Sequence, residues 1–367
     1  MLRNKVGQDG SSVMNEMRAS MGGKFIHVAL AFVLLFMAFP LSAKGMELLG
    51  AGATFPYPLY SKIFYTYWQT TGIKINYQAI GSGGGQRQLL KKTVDFGGSD
   101  TFMSDEALKK APAPIIHVPI CLGAVAITYN LAGSPEVRFT PELITDIFLG
   151  NITKWNDAKI IEVNPSINLP DMDIVVVHRS EGSGTTFVFT DYLSKVSDQW
   201  QKRVGRGKAV NWPTGLGSKG NAGVAGLIKH FPGSIGYVEL GYALLNRMPA
   251  GLVKNNTGQF IRPGTTSTSV AANVPLPDDM RVSITNTEAA GGYPISSFTW
   301  ILVFKEQAYR GRSEEKAKTL ANTLWWMTHE GQKYAQPLHY APLSAKAAKM
   351  AGKLIKTMTY NGRPIFK

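Results

Sequence analysis

The sequence alternates short apolar runs rich in β-branched residues with longer stretches that have the spacing of amphipathic helices. The runs at residues 74–80, 94–100, 124–130 and 174–180 are typical of strands, and helical patterns lie between them. This alternation predicts an α/β fold built on largely parallel sheets. In such sheets ligands bind beyond the carboxyl ends of the strands, so the loops that lead into helices are the expected place for functional residues.

The first 43 residues have the features of a secretion signal. Lys24 precedes an apolar run at residues 25–39, and a small residue, Ala43, ends the segment. The run is shorter than the ~20 apolar residues that a membrane-spanning helix needs, and an uncleaved anchor helix is the alternative. The initiating methionine stays open, since several methionines precede Lys24. We expect residues 1–43 to be a cleaved signal peptide and the protein to be exported.

Composition narrows the class of protein. With 367 residues, the chain has the length of two domains. The net charge of +14 favours anionic partners, but the lysines and arginines are scattered, and we expect no nucleic-acid binding. The single cysteine, Cys121, lies in an apolar run and is expected to be buried and free. The six histidines have no metal-ligand spacing, so neither a metal nor another cofactor is expected.

Two glycine-rich segments near the start of the chain could offer backbone donors to an anion. In GAGATFP, Thr54 is expected to cap the following helix, and the N–H group of Phe55 lies at its start. In GSGGGQ, Ser82 supplies a hydroxyl and an N–H where the glycines allow close approach of the backbone. Such a segment fits neither the dinucleotide fingerprint nor the nucleotide-binding loop, and on its own it could equally serve only as a turn.

The segment RSEGSGTTF combines an arginine with a helix start. Arg179 ends the run at 174–180, and its planar guanidinium matches two oxygens of a tetrahedral oxyanion. Ser183, Gly184 and Thr185 are expected to open the next helix, where unpaired N–H groups favour an anion. The arginine alone would be read as a surface ion pair; beside the helix start it indicates an anion site.

Asp100 ends the segment FGGSD, and a carboxylate at an anion site needs an explanation. Phosphate near neutral pH keeps an acidic O–H, which a carboxylate can accept, whereas sulfate is fully ionised and has no hydrogen to donate. A buried aspartate would therefore select phosphate by leaving sulfate with an unsatisfied repulsive contact. Taken alone, Asp100 could equally cap a turn.

The motifs together resemble the phosphate-binding proteins of bacterial phosphate ABC transporters. The resemblance runs in order from about residue 48 to the C-terminus and rests on GAGATFP, GSGGGQ, DFGGSD, RSEGSGTTFVFTDYL, GLGSKGNAG and GSIGYVE. It implies a type II periplasmic-binding-protein fold with two α/β lobes and two chain crossings. Lobe one would comprise residues 44–125 plus 302–367, and lobe two residues 126–301.

The resemblance also implies a function and a site. Inorganic phosphate would be bound between the lobes and delivered to the permease subunits, by a periplasmic monomer that touches the membrane only through the permease. The family's ligand-binding positions match Thr54, Phe55, Ser82, Asp100, Arg179, Ser183, Gly184 and Thr185. One departure is Glu181, which stands where the family often has an aspartate paired with the arginine; its extra methylene would alter that pairing.

Three other functions are considered. A phosphate-ester hydrolase would need an activated nucleophile, but neither Ser82 nor Ser183 has the glycine two residues earlier that a nucleophile elbow requires. An adhesion or regulatory protein could keep the same fold. A different oxyanion is the third alternative; Asp100 argues against sulfate and molybdate, whereas arsenate stays chemically close.

Overall fold

A computed structural model describes residues 46–366, so the predicted signal peptide at residues 1–43 lies outside the described residues. The strands are β1 (Glu47–Gly52), β2 (Lys74–Ala79), β3 (Phe96–Ser99), β4 (Ile115–Tyr129), β5 (Arg138–Phe139), β6 (Val175–Arg179), β7 (Leu216–Ser218), β8 (Ser234–Glu239), β9 (Leu252–Lys254), β10 (Phe260–Ile261), β11 (Ser296–Phe304), β12 (Thr359–Tyr360) and β13 (Arg363–Pro364). The strands predicted at 74–80, 94–100 and 174–180 are confirmed, and the one predicted at 124–130 is the second part of the longer β4.

The helices follow the strands closely along the chain. They are α1 (Tyr57–Thr71), α2 (Ser82–Leu90), α3 (Asp105–Lys109), α4 (Pro141–Leu149), α5 (Ala158–Val163), α6 (Gly184–Val196), α7 (Asp198–Arg203), α8 (Gly220–His230), α9 (Leu240–Leu245), α10 (Thr265–Ala271), α11 (Glu314–Thr328) and α12 (Ala345–Lys356). Their ends follow local rules: α1 stops at Gly72, whose left-handed backbone closes the last turn, and Ser344 caps α12 by accepting from the N–H of Ala347.

Eight strands form one mixed sheet in the order β2-β1-β3-β11-β4-β8-β6-β7. Strands β2, β1 and β3 are parallel to one another, and so are β8, β6 and β7, whereas β11 and β4 run antiparallel between the two groups. The sheet therefore has two parallel halves, and each half has its own set of carboxyl ends where ligand-binding loops are expected.

Two paired strands connect the halves. The first part of β4 pairs with β11, and its last five residues pair with β8 in the other half. Where the partner changes, the N–H of Val125 donates to the carbonyl of Ile295, the residue before β11, at 2.8 Å. The two chain segments that join the halves therefore lie side by side and are hydrogen-bonded to each other. A register shift between Thr299 and Trp300 faces Pro119, which has no N–H to offer the ladder.

The core follows the apolar pattern of the sequence. Every residue of β11 and nearly every residue of β4 is buried, because helices cover both faces of the centre of the sheet. Cys121 is fully buried in β4 and free, as expected, and burial raises the pKa of its thiol. Within residues 46–366, no helix is both long enough and apolar enough to cross a bilayer.

Candidate anion-binding site

Four strand ends carry the predicted site residues. In one half of the sheet, Thr54 and Phe55 follow β1, Ser82 follows β2 and Asp100 follows β3; in the other half, Arg179 ends β6 and leads to the start of α6. One contact that joins the two halves is a backbone hydrogen bond, in which the carbonyl of Gly182 accepts from the N–H of Gly83 at 2.8 Å. All eight predicted residues, that is Thr54, Phe55, Ser82, Asp100, Arg179, Ser183, Gly184 and Thr185, are buried where the two halves of the sheet face each other.

Arg179 is buried, with its side chain only 1% exposed, and it is held from two sides. Its Nε donates to Glu181 Oε1 at 2.9 Å, and its Nη2 contacts the same oxygen. Its Nη1 donates to the hydroxyl of Thr185 at 3.1 Å. Burial alone would raise the pKa of Glu181, but its hydrogen bond to Arg179 lowers the pKa below its ordinary value. The predicted pairing of Arg179 with Glu181 is thus present despite the longer side chain.

The start of α6 faces the opposite half of the sheet. Ser183 is the N-cap and accepts from the N–H of Thr186 at 3.0 Å, which confirms that this segment opens a helix. Gly184 and Thr185 lie in the first turn, where backbone N–H groups have no partner within the helix. A methyl group at Gly184 would lie 2.3 Å from Ser82 Oγ, so the two loops meet at that point.

Asp100 is held at both carboxylate oxygens. Oδ1 accepts from the hydroxyl of Thr299 at 2.8 Å, and Oδ2 accepts from Ser82 Oγ at 3.3 Å. Burial raises the pKa of Asp100 to about 7, against the lowering effects of the Thr299 hydrogen bond and of the charge on Arg179. The group can therefore exchange a proton near neutral pH.

Thr54 does not cap α1 but is hydrogen-bonded to the other half of the sheet. The prediction that it caps α1 is wrong: the N-cap position is Pro56, and no side chain bonds there. The hydroxyl of Thr54 instead accepts from the backbone N–H of Asn221 at 3.2 Å and from Asn221 Nδ2 at 2.9 Å. The short turn between β1 and α1 thus directs the Thr54 side chain across to the other half of the sheet rather than along the chain to α1.

Sequence reasoning did not single out Asn221, although it lies in GLGSKGNAG, one of the segments that carry the resemblance. The sequence feature that could have identified Asn221 is the one that identified Ser82 and Ser183, namely a glycine-rich segment between a strand, here β7, and a helix, here α8. A lone asparagine in such a turn is common, and only the order of the strands places it beside Thr54.

A second buried carboxyl supports the Thr54–Phe55 turn. Glu239 ends β8, and its Oε2 lies 2.8 Å from Tyr340 OH, whose single hydrogen is donated to the carbonyl of Phe55 at 2.7 Å. The protonated carboxyl of Glu239 can donate in turn to the Tyr340 oxygen. The carbonyl of Thr54 accepts from Tyr242 OH at 2.6 Å. Burial raises the pKa of Glu239 to about 8. The carbonyls of Thr54 and Phe55 are thus both hydrogen-bonded to tyrosine hydroxyls.

The chemistry of this arrangement favours a small oxyanion. One guanidinium, three helix starts and several hydroxyls supply donors, and one carboxylate supplies an acceptor. Among residues 46–366, no group of three His, Cys, Asp or Glu side chains is placed to hold a metal ion. Many neutral donors spread over several loops can bind an anion without a row of buried lysines.

A fold in which two groups of parallel strands direct their ends toward a shared site, joined by paired crossing strands, defines a periplasmic binding protein. The family model described as the PBP superfamily domain matches residues 40–328. The fold is the two-lobed type II form: a solved structure of a high-affinity periplasmic phosphate-binding protein bound with phosphate superposes with a TM-score of 0.66 at 22% identity, covering 83% of this chain and 92% of that one.

Sequence similarity to known proteins, over most of the chain, identifies the family within this class of binding proteins. The phosphate-binding protein PstS of Pasteurella multocida is 42% identical over 320 residues, which are 86% of this chain and 91% of that protein. The protein of the same name from Xylella fastidiosa is 44% identical over 311 residues, with 83% and 84% covered. The chain belongs to the PstS family of phosphate-binding proteins. The matched relatives are named as binding proteins, so the hydrolase hypothesis finds no support among them.

Proposed function

We propose that this protein binds inorganic phosphate between its two lobes and delivers it to the membrane permease of a phosphate ABC transporter. The observation that carries the proposal is the joint burial of Arg179 and Asp100 on opposite halves of one site. A guanidinium alone would bind any small oxyanion, whereas a carboxylate that can accept a hydrogen bond adds a requirement for an O–H. Phosphate meets both conditions, and membership of the PstS family supports the same ligand.

The ligand residues in this proposal are the eight that the resemblance of the sequence motifs implies. Arg179, with Ser183, Gly184 and Thr185 at the start of α6, would hold the phosphate oxygens from lobe two. Thr54, Phe55 and Ser82 would hold them from lobe one. Asp100, in its ionised form, would accept the remaining O–H of the ligand. Each of these groups is buried beside the others, which is the support that geometry gives to the assignment.

The mechanism follows from the placement of these donors on two lobes. A molecule with separated lobes admits phosphate, and contacts to both lobes then favour the closed form by the difference in affinity between the two forms. We place lobe one at residues 44–125 plus 302–367 and lobe two at 126–301. The contact between Val125 and Ile295 supports the first crossing, and the pairing of β11 with β3 favours a second crossing a few residues before 302.

The remaining parts of the proposal concern the protein's surroundings. Removal of residues 1–43 would release the protein into the periplasm, where it would act as a monomer and meet the membrane only at the permease. Mass spectrometry of protein recovered from the periplasm would check the cleavage after Ala43, and light scattering would check the monomer. A mass that retains the apolar run at 25–39 would contradict the cleavage.

Isothermal titration of the protein starting at Lys44 with phosphate, and separately with sulfate, tests the proposed function. We expect saturable binding of one phosphate per chain and no measurable heat with sulfate at the same concentrations. An absence of phosphate binding by folded protein would overturn the proposal. A parallel assay for cleavage of a phosphomonoester is expected to give no product.

A further inference from the structure

Asn221 lies between two predicted ligand residues from opposite lobes. It follows β7 in the first turn of α8 and is fully buried. Its side-chain nitrogen donates to the hydroxyl of Thr54 at 2.9 Å and to the hydroxyl of Thr185 at 3.1 Å. Thr54 belongs to lobe one and Thr185 to lobe two, so one amide group contacts both.

The orientation of this amide is determined by an obligate donor. The backbone N–H of Glu239 points at Asn221 Oδ1 at 2.9 Å, and an N–H can only donate. The oxygen of the amide must therefore face Glu239, and the NH₂ group must face the two threonines. The alternative orientation would place two donors against each other at Glu239 and leave them unpaired in a buried site.

The direction of the Thr54 hydroxyl follows from its neighbours. Its oxygen accepts from the backbone N–H of Asn221 at 3.2 Å as well as from Asn221 Nδ2. A hydroxyl has two acceptor sites and one hydrogen, so both acceptor sites are used. Within residues 46–366, the hydroxyl of Thr54 donates to no protein atom, and its hydrogen is available to a ligand oxygen.

The hydroxyl of Thr185, like that of Thr54, accepts two hydrogen bonds from the protein. Its oxygen accepts from Asn221 Nδ2 at 3.1 Å and from Arg179 Nη1, also at 3.1 Å. Guanidinium and amide nitrogens in these positions only donate, so the hydrogen of this hydroxyl is likewise directed away from them. In the described part of the chain, no protein acceptor receives it.

We propose that Asn221 is a positioning residue that fixes the hydroxyls of both Thr54 and Thr185 as hydrogen-bond donors, so that the site presents hydrogens and not lone pairs to the oxygens of its ligand. The proposal rests on the proposed binding of phosphate at this site. A freely rotating hydroxyl could turn a lone pair toward the anion, whereas one with both acceptor sites occupied cannot. Asn221 also makes this orientation depend on lobe closure, because Thr54 receives its two donors from the opposite lobe.

The test compares Asn221→Ala and Asn221→Asp with the unchanged protein by phosphate titration. The alanine variant removes one donor to each threonine, and we expect a loss of phosphate affinity of about tenfold to a hundredfold. The aspartate variant keeps the shape but replaces the donor by an acceptor, which would attract both hydroxyl hydrogens; its loss should exceed that of alanine. Asn246→Ala, which removes a peripheral asparagine that donates to the carbonyl of Tyr242, is the control and should bind normally.

A double-mutant cycle separates positioning from a general structural role. If Asn221 acts through the two hydroxyls, Asn221→Ala should cost less than about twofold in a protein that already carries Thr54→Val and Thr185→Val. Equal losses in both backgrounds, or normal affinity of Asn221→Ala, would overturn the inference. Melting temperatures of all variants are measured beside the titrations, because the cycle is read on folded protein. Failure of the unchanged protein to bind phosphate would instead reject the proposed function itself.

Discussion

Gly184 at the start of α6 faces the carboxylate of Asp100 so closely that no side chain fits between them. A β-carbon at position 184 would lie 2.5 Å from Asp100 Oδ2 and 2.7 Å from Asp100 Cβ. A real β-carbon does not come this close to another residue's atoms, and both residues are buried. The two lobes therefore approach each other at a point where the sequence supplies a glycine, and this approach brings the first turn of α6 to the end of β3.

Gly184→Ala should consequently hinder closure more than folding. The methyl group would keep the lobes apart, and overpacking of about 1–3 kcal/mol corresponds to a loss of phosphate affinity of roughly fivefold to 150-fold. Small-angle scattering should then show a smaller decrease in radius of gyration on adding phosphate than in the unchanged protein. Gly226→Ala is the matched control, because a β-carbon added at that position would meet no atom within 4 Å beyond its own turn of α8. Normal affinity of Gly184→Ala would contradict the closed arrangement.

Arg179→Ala should remove most of the attraction for phosphate. The substitution deletes the guanidinium and leaves the carboxylate of Glu181 without its partner, a change that typically costs about 2–5 kcal/mol in binding. Titration should find an affinity lower by at least about thirtyfold. Arg203→Ala, on the exposed last turn of α7, serves as the control and should bind as the unchanged protein does. Binding by Arg179→Ala within a factor of about two of normal would exclude this arginine from the site.

Asp100→Asn should relax the rejection of sulfate. The amide is similar in size, but it can donate a hydrogen bond to a fully ionised oxygen and carries no repulsive charge. Competition titrations should show a phosphate-to-sulfate preference reduced by about tenfold or more, while the ratio of phosphate to arsenate changes little, since both ligands carry an O–H. An unchanged rejection of sulfate would show that Asp100 does not select for the proton.

The two buried carboxyls predict how the stability of the ligand-free protein depends on pH. The pKa is raised from 3.8 to about 7 for Asp100 and from 4.5 to about 8 for Glu239, so the folded protein holds protons that the unfolded chain releases. This contribution to stability is complete below pH 4 and is lost as the pH rises through 7 and 8. Buried His117, whose pKa is lowered from 6.5 to about 3, has the opposite effect only below pH 6.5.

The melting temperature in phosphate-free buffer should therefore fall between about pH 6.5 and 8, by up to about 1.4 kcal/mol of unfolding free energy per pH unit for each titrating group. Glu239→Gln removes one of the two groups and should make the decrease shallower. Glu162→Gln, an exposed change on α5, should leave the slope as it is. A melting temperature that stays level or rises over this range would show that neither carboxyl is protonated in the folded protein.

Much of the site could be predicted from the sequence because local signals were sufficient. Glycine-rich turns after strand-like runs marked Ser82, and an arginine next to a helix-start pattern marked Arg179 and Ser183. Those residues act within a few positions of the turn that contains them. Thr54 was predicted to cap its own helix because that is its nearest local partner; its actual partner, Asn221, is far away along the chain.

The parts that could not be predicted depend on the order of the strands. Asn221 reaches Thr54 only because β7 and β1 belong to facing halves of the sheet, and no periodicity in the sequence encodes that relation. The length of β4 was underestimated, since Pro119 interrupts the apolar run and a central strand tolerates it only beside the register shift in β11. The abundance of Gly, Pro, Thr, Ser and Asn at residues 253–289 predicts mostly loop, but the structure has β10 and α10 there, with irregular segments around them.

The hydrogen bond between Val125 and Ile295 restricts how the molecule can open. Two independent loops would let the lobes swing, slide and twist freely, whereas two hydrogen-bonded segments are constrained to turn together, and we expect a single opening angle to describe most of the motion. Bound phosphate would then reduce this opening angle, and a substitution that keeps the lobes apart would increase it. We therefore expect probes placed far apart on the two lobes to report one common transition when phosphate is added.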